Sequence, residues 1–243
     1  MTTKEYLELQ INDLTGAIPK SIGALSSLYH FSVYNNILGG TIPEEFYALT
    51  SLKHIDLTAN YFSGSISSKI GDLDDLINIY YGENLLDGSI PEEIGYLSAL
   101  EVLDLHGNYI SGHIPDTLDG LKNMTEFVLF SNDITGSIPY SLFHAESLEI
   151  LALSANKIEG HLSSRFDDLV NLREIYLWDN MITGTLPDDF ANLEFLEHLE
   201  FNNNEITGRV PDEICEMNLE TLYADCKGIH PEVSCTCCTV CWN

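Results

Sequence analysis

Histidine and aspartate stand two residues apart twice in this chain, His54 with Asp56 and Asp104 with His106. Such pairs are the raw material of general acid and base catalysis. Residues two apart on a strand share a face but lie about 6 to 7 Å from each other, and neither pair comes with an activated nucleophile or a metal-binding triad. No catalytic residue, cofactor or metal site is assigned, and the chain is expected not to be an enzyme. The second chemical cluster is the tail. Cysteine is absent from the first 214 residues and then appears as Cys215, Cys226, Cys235, Cys237, Cys238 and Cys241. Zinc sites are usually built from two separated CxxC pairs, whereas the terminal run reads CxCCxxC. The even count therefore reads as a disulfide-bonded cap formed in an oxidising compartment. Many pairings are open, and the one expected is Cys215 with Cys226, tying the last coil to the cap.

A third set of side chains is suited to binding: His30, Tyr34, His54, Asp56, Tyr80, Asp104, His106, Val128, Phe130, Tyr176, Trp178, His198 and Glu200. Aromatic anchors among polar neighbours dominate binding hot spots. The competing reading is that they only cover a sheet and stack on one another across strands. Each stands two, four or six residues before an asparagine in a series with a step of 24 residues: Asn12, Asn36, Asn60, Asn84, Asn108, Asn132, Asn156, Asn180 and Asn204. Alternate side chains of a strand share a face, so these columns are predicted to line one surface.

The other columns keep the same period. A glycine stands four residues after every one of these asparagines, from Gly16 to Gly208, and apolar pairs such as Leu103 and Leu105 stand five and three residues before. Leu86, Ile90 and Ile94 and their equivalents follow at two, six and ten residues after the asparagine and must point inward. One repeat cannot bury such a face alone, so stability must come from stacking. The asparagine has a task of its own. Where the chain leaves the strand, backbone groups inside the coil would be unpaired unless a side-chain amide satisfied them.

The segments after the asparagine read Ser/Thr-Gly-x-Ile-Pro and a short helical turn, as in Leu86 to Leu97 (LDGSIPEEIGYL) and Ile182 to Leu193 (ITGTLPDDFANL). Over residues 5 to 217 this resembles the plant-type leucine-rich repeat, a family that includes receptor-like kinase ectodomains and secreted inhibitors of cell-wall hydrolases such as polygalacturonase-inhibiting proteins. The resemblance implies an α/β repeat solenoid, a right-handed superhelix of about nine 24-residue coils with a concave parallel β-sheet and a second short strand at the SGxIP segment. Ser67 and Ser163 stand where proline is expected, which predicts a local change of turn. Residues 1–217 are read as the solenoid and 218–243 as its cap, because the next ladder position falls on Gly228.

The implied function is extracellular recognition of a protein, peptide or glycan through the concave face, with inhibition of a cell-wall hydrolase as the alternative. A third reading rests on hydroxyl rows, Thr15, Ser63, Ser111, Thr135, Thr183 and Thr207 beside Thr41, Ser65, Ser89, Ser137 and Thr185, which could match ice or a polysaccharide. Asp87, Glu159, His113, His161 and Arg209 interrupt them.

Composition narrows the partners. With 38 acids against 10 bases the chain has no basic stripe for nucleic acid. Many acids follow the proline, as Glu44 and Glu45, Glu92 and Glu93, Asp188 and Asp189, or Asp212 and Glu213, where they suit the positive end of a helical turn. The surplus favours solubility and repels anionic membranes. No apolar run approaches the roughly 20 residues of a membrane span. Met1 leads straight into Leu7 and Leu9 without a secretory leader, so the chain is expected to be an N-terminally incomplete piece of a longer extracellular or cell-surface protein.

Overall fold

The computed structural model describes residues 5–227 and 232–242; Gly228 lies outside them. Each coil begins with a three-residue strand whose middle residue is apolar and buried, as Leu103 is in Val102–Asp104. These strands form one parallel sheet of eleven, in sequence order from Tyr6–Glu8 through His198–Glu200 to Thr221–Ala224 and Val240–Cys241. Within the repeats the register is one full period, His54 opposite Asn78 and Asp56 opposite Tyr80. A column in the sequence is therefore a row across the sheet. Two strands continue the sheet past the nine repeats, with shorter spacing: His198 pairs with Thr221 and Tyr223 with Val240.

Short strands such as Tyr61–Ser65 and Met181–Gly184 make the second wall. Gly112 shows why this wall needs glycine four residues past the asparagine. Its φ is +78°, and an added Cβ would stand 3.3 Å from Ser89 Cβ. The helical parts are 3-10 turns, except for the α-helix Asp212–Cys215. Proline caps these turns rather than entering them: Pro43 has φ −70° and ψ 145°, and Glu44 and Glu45 form the first turn. Ser67 and Ser163 do not alter the turn as expected. Their backbones match (φ −69°, ψ 143° and φ −82°, ψ 144°), and each hydroxyl accepts a bond from the backbone N–H two residues on. Serine replaces proline's rigidity with a capping bond. No helix of the described residues is long and apolar enough to cross a membrane.

Rows of Leu, Ile and Phe fill the interior, with Phe143, Phe166 and Phe190 in successive ring contact at 5.2 and 4.7 Å. Beside them runs the asparagine ladder. Asn108 is buried; its Oδ1 accepts from Leu86 N of the preceding coil at 2.9 Å, and its Nδ2 donates to Tyr81 O of that coil and Leu105 O of its own at 3.0 and 3.1 Å. Asn36, Asn60, Asn84, Asn132, Asn156, Asn180 and Asn204 bond in the same two directions. Asn12 is exposed, and among the described residues its side chain bonds within its own coil, to Leu9 O and Gln10 O. At the other end buried Asp225 accepts from Asn203 N and Asn204 N at 2.9 and 3.3 Å. An aspartate three residues before the expected ladder position thus continues the chain of bonds into the cap.

The cap is closed by Cys215–Cys237, Cys226–Cys241 and Cys235–Cys238. The expected Cys215–Cys226 bridge is not formed. Cys226 follows the strand Thr221–Ala224, and Ala224 pairs with Cys241, which brings the tail's own thiol to it. Cys215 ends the last helix and meets Cys237 as the tail passes. The sulfurs of Cys226, Cys235 and Cys238 lie within 4.8 Å of one another, but all three are consumed in disulfides and none is a thiolate for zinc.

Replacing Asn108 by Ala leaves Leu86 N unpaired inside the coil and removes one of the two amide donors from Tyr81 O and from Leu105 O, which keep those of Asn84 and Asn132; it is expected to cost on the order of 1–3 kcal/mol. Urea unfolding would show it as a lower midpoint at unchanged slope, and an unchanged midpoint would contradict the ladder's role. Peptide mapping without reduction is expected to recover the three bridges named above. A fragment linking Cys215 to Cys226 would overturn that assignment.

Candidate recognition surface

The residues singled out from the sequence, His30, Tyr34, His54, Asp56, Tyr80, Asp104, His106, Val128, Phe130, Tyr176, Trp178, His198 and Glu200, are all partly buried. The alternation of the strands and their full-period register put them on one face of the long sheet. Near its start, the rings of Tyr6, His30 and His54 run in series at 5.9 and 5.6 Å. His54 does not pair with Asp56. Its Nδ1 contacts Asn78 Oδ1 at 2.6 Å, while Asp56 accepts from Thr58 N at 3.0 Å.

Asp104 and His106 do meet, against the separation expected along a straight strand. The strand ends at Asp104, whose Oδ1 accepts from His106 N at 3.0 Å and stands 2.6 Å from His106 Nδ1. The turn out of the strand folds the ring back over its neighbour. The imidazole then stacks on Phe130 at 4.6 Å with 16° between the planes. It also fills the space above Gly82, where an added Cβ would stand 2.3 Å from the imidazole Cε1. The hydrogen bond to Asp104 raises the His106 pKa above its ordinary value, against the effect of burial.

Further along, large and small residues alternate between coils. Val128, Ala152 and Tyr176 occupy one row, in register across three strands. Phe130, Ser154 and Trp178 hold the row beside it. Ala152 and Ser154 are small and buried, so a cleft of about 340 Å³ opens above them between Phe130 and Trp178, with Tyr176 along its floor. Neither small residue was among those singled out from the sequence; the signal was a coil whose outward positions drop in size between two aromatic coils. Burial is the main cause that raises the pKa of Glu126 and the Tyr176 phenol, and Glu174 adds to both. His198 lies against Tyr176, with ring centres 6.3 Å apart, and its Nδ1 contacts Thr221 Oγ1 at 3.0 Å.

On the second wall four hydroxyls of the first row are tied down. Ser111, Thr135, Thr183 and Thr207 each donate to a glycine carbonyl of the preceding coil, at 3.2, 3.0, 3.1 and 3.3 Å. That is a stacking contact, repeated by the period. The acidic column combines exposed and half-buried residues, and cross-coil ion pairs such as Lys69–Glu44 at 2.9 Å and Lys20–Glu45 at 3.1 Å decorate it.

The Leucine Rich Repeat family pattern matches residues 99–121, 171–193 and 195–217. No curated protein sequence matches the chain. Among solved structures, the plant peptide hormone receptor RGFR1 in complex with RGF2 is similar, 31% identical over 96% of this chain and 40% of that one, with a TM-score of 0.86. The Arabidopsis receptor kinase HAESA, in complex with the peptide hormone IDA and the co-receptor SERK1, is 33% identical over 87% of this chain and 35% of its own, with a TM-score of 0.84. A plant ice-binding protein is 27% identical over 84% of this chain and 74% of its own, with a TM-score of 0.66. The chain thus spans 40% or less of the two receptor chains.

The Asp104–His106 pair makes a pH-dependent contribution. Because the folded pKa of His106 is raised, that contribution is fully present below the unfolded value of about 6.5 and is lost as pH rises through the folded one. The difference in melting midpoint between wild type and His106→Gln is expected to be larger at about pH 5 than at about pH 8. Equal differences at both would contradict the pairing.

Proposed function

Because the chain is a leucine-rich-repeat protein of the plant type, we propose that it is an extracellular recognition module that binds a peptide or protein across its concave sheet. The observation that carries this reading is the cleft between Phe130 and Trp178. It offers apolar footing, with Tyr176 along it, on a face otherwise studded with His, Asp and Glu. Stiff aromatic side chains lose little entropy when a ligand docks. Eleven strands about 4.8 Å apart give a face on the order of 50 Å long, enough for an extended peptide. The peptide complexes of the two similar receptors support the same choice of ligand. The three disulfides fit an oxidising, extracellular setting. Inhibition of a cell-wall hydrolase would use the same face with a different partner.

The test begins by panning a random peptide library against the intact chain. Peptides that bind are expected to lose about 2 kcal/mol or more of affinity in Trp178→Ala and in Phe130→Ala. In Glu92→Ala only the salt dependence of association is expected to change. Equal loss in all three variants, or loss in Glu92→Ala alone, would show that the wrong face was chosen.

A further inference from the structure

Trp178 has a second cleft on its other side. At about 530 Å³, it lies where the concave sheet meets the cap, and Trp178, Tyr223 and Trp242 line it together with Asp179, Glu200 and Asn202. The chain has two tryptophans, and both are here. Trp242 is placed by the cap. Its N–H donates to Ala224 O at 2.8 Å, its carbonyl accepts from Lys227 N at 3.0 Å, and the Cys226–Cys241 bridge clamps the residue before it. Trp242 remains 49% exposed.

Both charged groups of this cleft are acidic, and an amide lies beside them. Asn202 is 8% exposed, and its Oδ1 has no hydrogen-bond partner among the described residues. A buried acceptor without a partner carries a desolvation cost. Asp179 and Glu200 are acceptors as well. Asn203 Nδ2 holds Asp179 Oδ1 at 2.7 Å, and Thr221 Oγ1 donates to Glu200 Oε1 at 3.3 Å. Burial raises the Glu200 pKa, so its charged form gains from a cation brought beside it. The three aromatic rings present electron-rich faces. Among the described residues no Lys, Arg or His lines the cleft. An anion would meet two carboxylates, and an apolar group would leave those carboxylates without a partner.

We propose that this cleft binds an arginine side chain of a peptide whose neighbouring apolar residue occupies the Phe130 cleft. The inference rests on the concave-face reading above and narrows it to basic ligands. A planar guanidinium offers donors in a fixed fork and stacks on aromatic faces, which suits a slot with indoles on its walls and acceptors between them. Trp178 and Glu200 line both clefts, so the two pockets adjoin. Residues two apart on an extended peptide lie about 7 Å from each other and can fill both.

The two tryptophans make the site its own reporter. Acetyl-Leu-Gly-Arg-amide, titrated to about 10 mM, is expected to change the intrinsic fluorescence saturably. The same peptide with citrulline, a neutral analogue of arginine, is expected to bind at least about tenfold more weakly, as is the arginine peptide to the double variant Asp179→Asn, Glu200→Gln. Melting curves of that variant establish that it is folded, and Trp242→Phe keeps Trp178 as the reporter. Equal affinity for arginine and citrulline, or no saturable change, would overturn the proposal. Library peptides that need Phe130 and Trp178 but carry no basic residue would overturn it while leaving the concave-face reading intact. Arginine discrimination that persists while Phe130→Ala has no effect on library peptides would do the reverse.

Discussion

A buried amide repeated at each coil is the constraint on which the rest depends. Asn108 and its equivalents satisfy backbone groups both in their own coil and in the one before, so neighbouring coils cannot slide or rotate without breaking buried bonds. That lock holds the sheet register at one full period. It is also the reason that residues 24 apart in the sequence, such as Asp56 and Tyr80, become neighbours on a surface. The residue before each asparagine accepts an unusual cost for this geometry: Glu83, Ala155 and Asp179 all have φ between +51° and +58°, a left-handed conformation that non-glycine residues avoid. Stacking contacts and ladder bonds together outweigh it.

The same logic explains what could be read from residues alone. Every proposed concave residue lies on one face because its place depends only on strand alternation and period, and both are visible in the sequence. The departures arise where the period ends or a side chain turns a corner. Asp104 meets His106 because the chain leaves its strand between them, and spacing along a straight strand cannot show that. The sheet runs on into the cap with register steps that no column announces. Cysteine pairing there follows from which strand lies beside which, as Ala224 beside Cys241 brings Cys226 to its partner. The clefts flanking Trp178 owe their existence to small or polar neighbours, Ala152 and Ser154 on one side and Asn202 on the other, and attention to large side chains passes over them.

The surface is also asymmetric in what it leaves free. On the second wall the hydroxyls of Ser111, Thr135, Thr183 and Thr207 are engaged with carbonyls of the adjacent coil, and Asp87 and Glu159 break the row. The likeness to a plant ice-binding protein is one of fold, and these four hydroxyls serve the stack. On the concave sheet, by contrast, the aromatic side chains bordering the clefts have open space beside them and acids around them. In a chain with a net charge of −28, that combination favours partners that bring both apolar surface and positive charge.

Hydroxyl-radical footprinting of the chain with and without a library-selected peptide reads both surfaces at once. Tyr80, Phe130, Tyr176 and Trp178 report on the concave sheet, while Tyr61, Tyr96, Tyr109 and Tyr140 are exposed elsewhere. The account predicts protection at Phe130, Tyr176 and Trp178 with no change at Tyr61 and Tyr109. Protection of Tyr61 and Tyr109 with an unchanged concave face would contradict it.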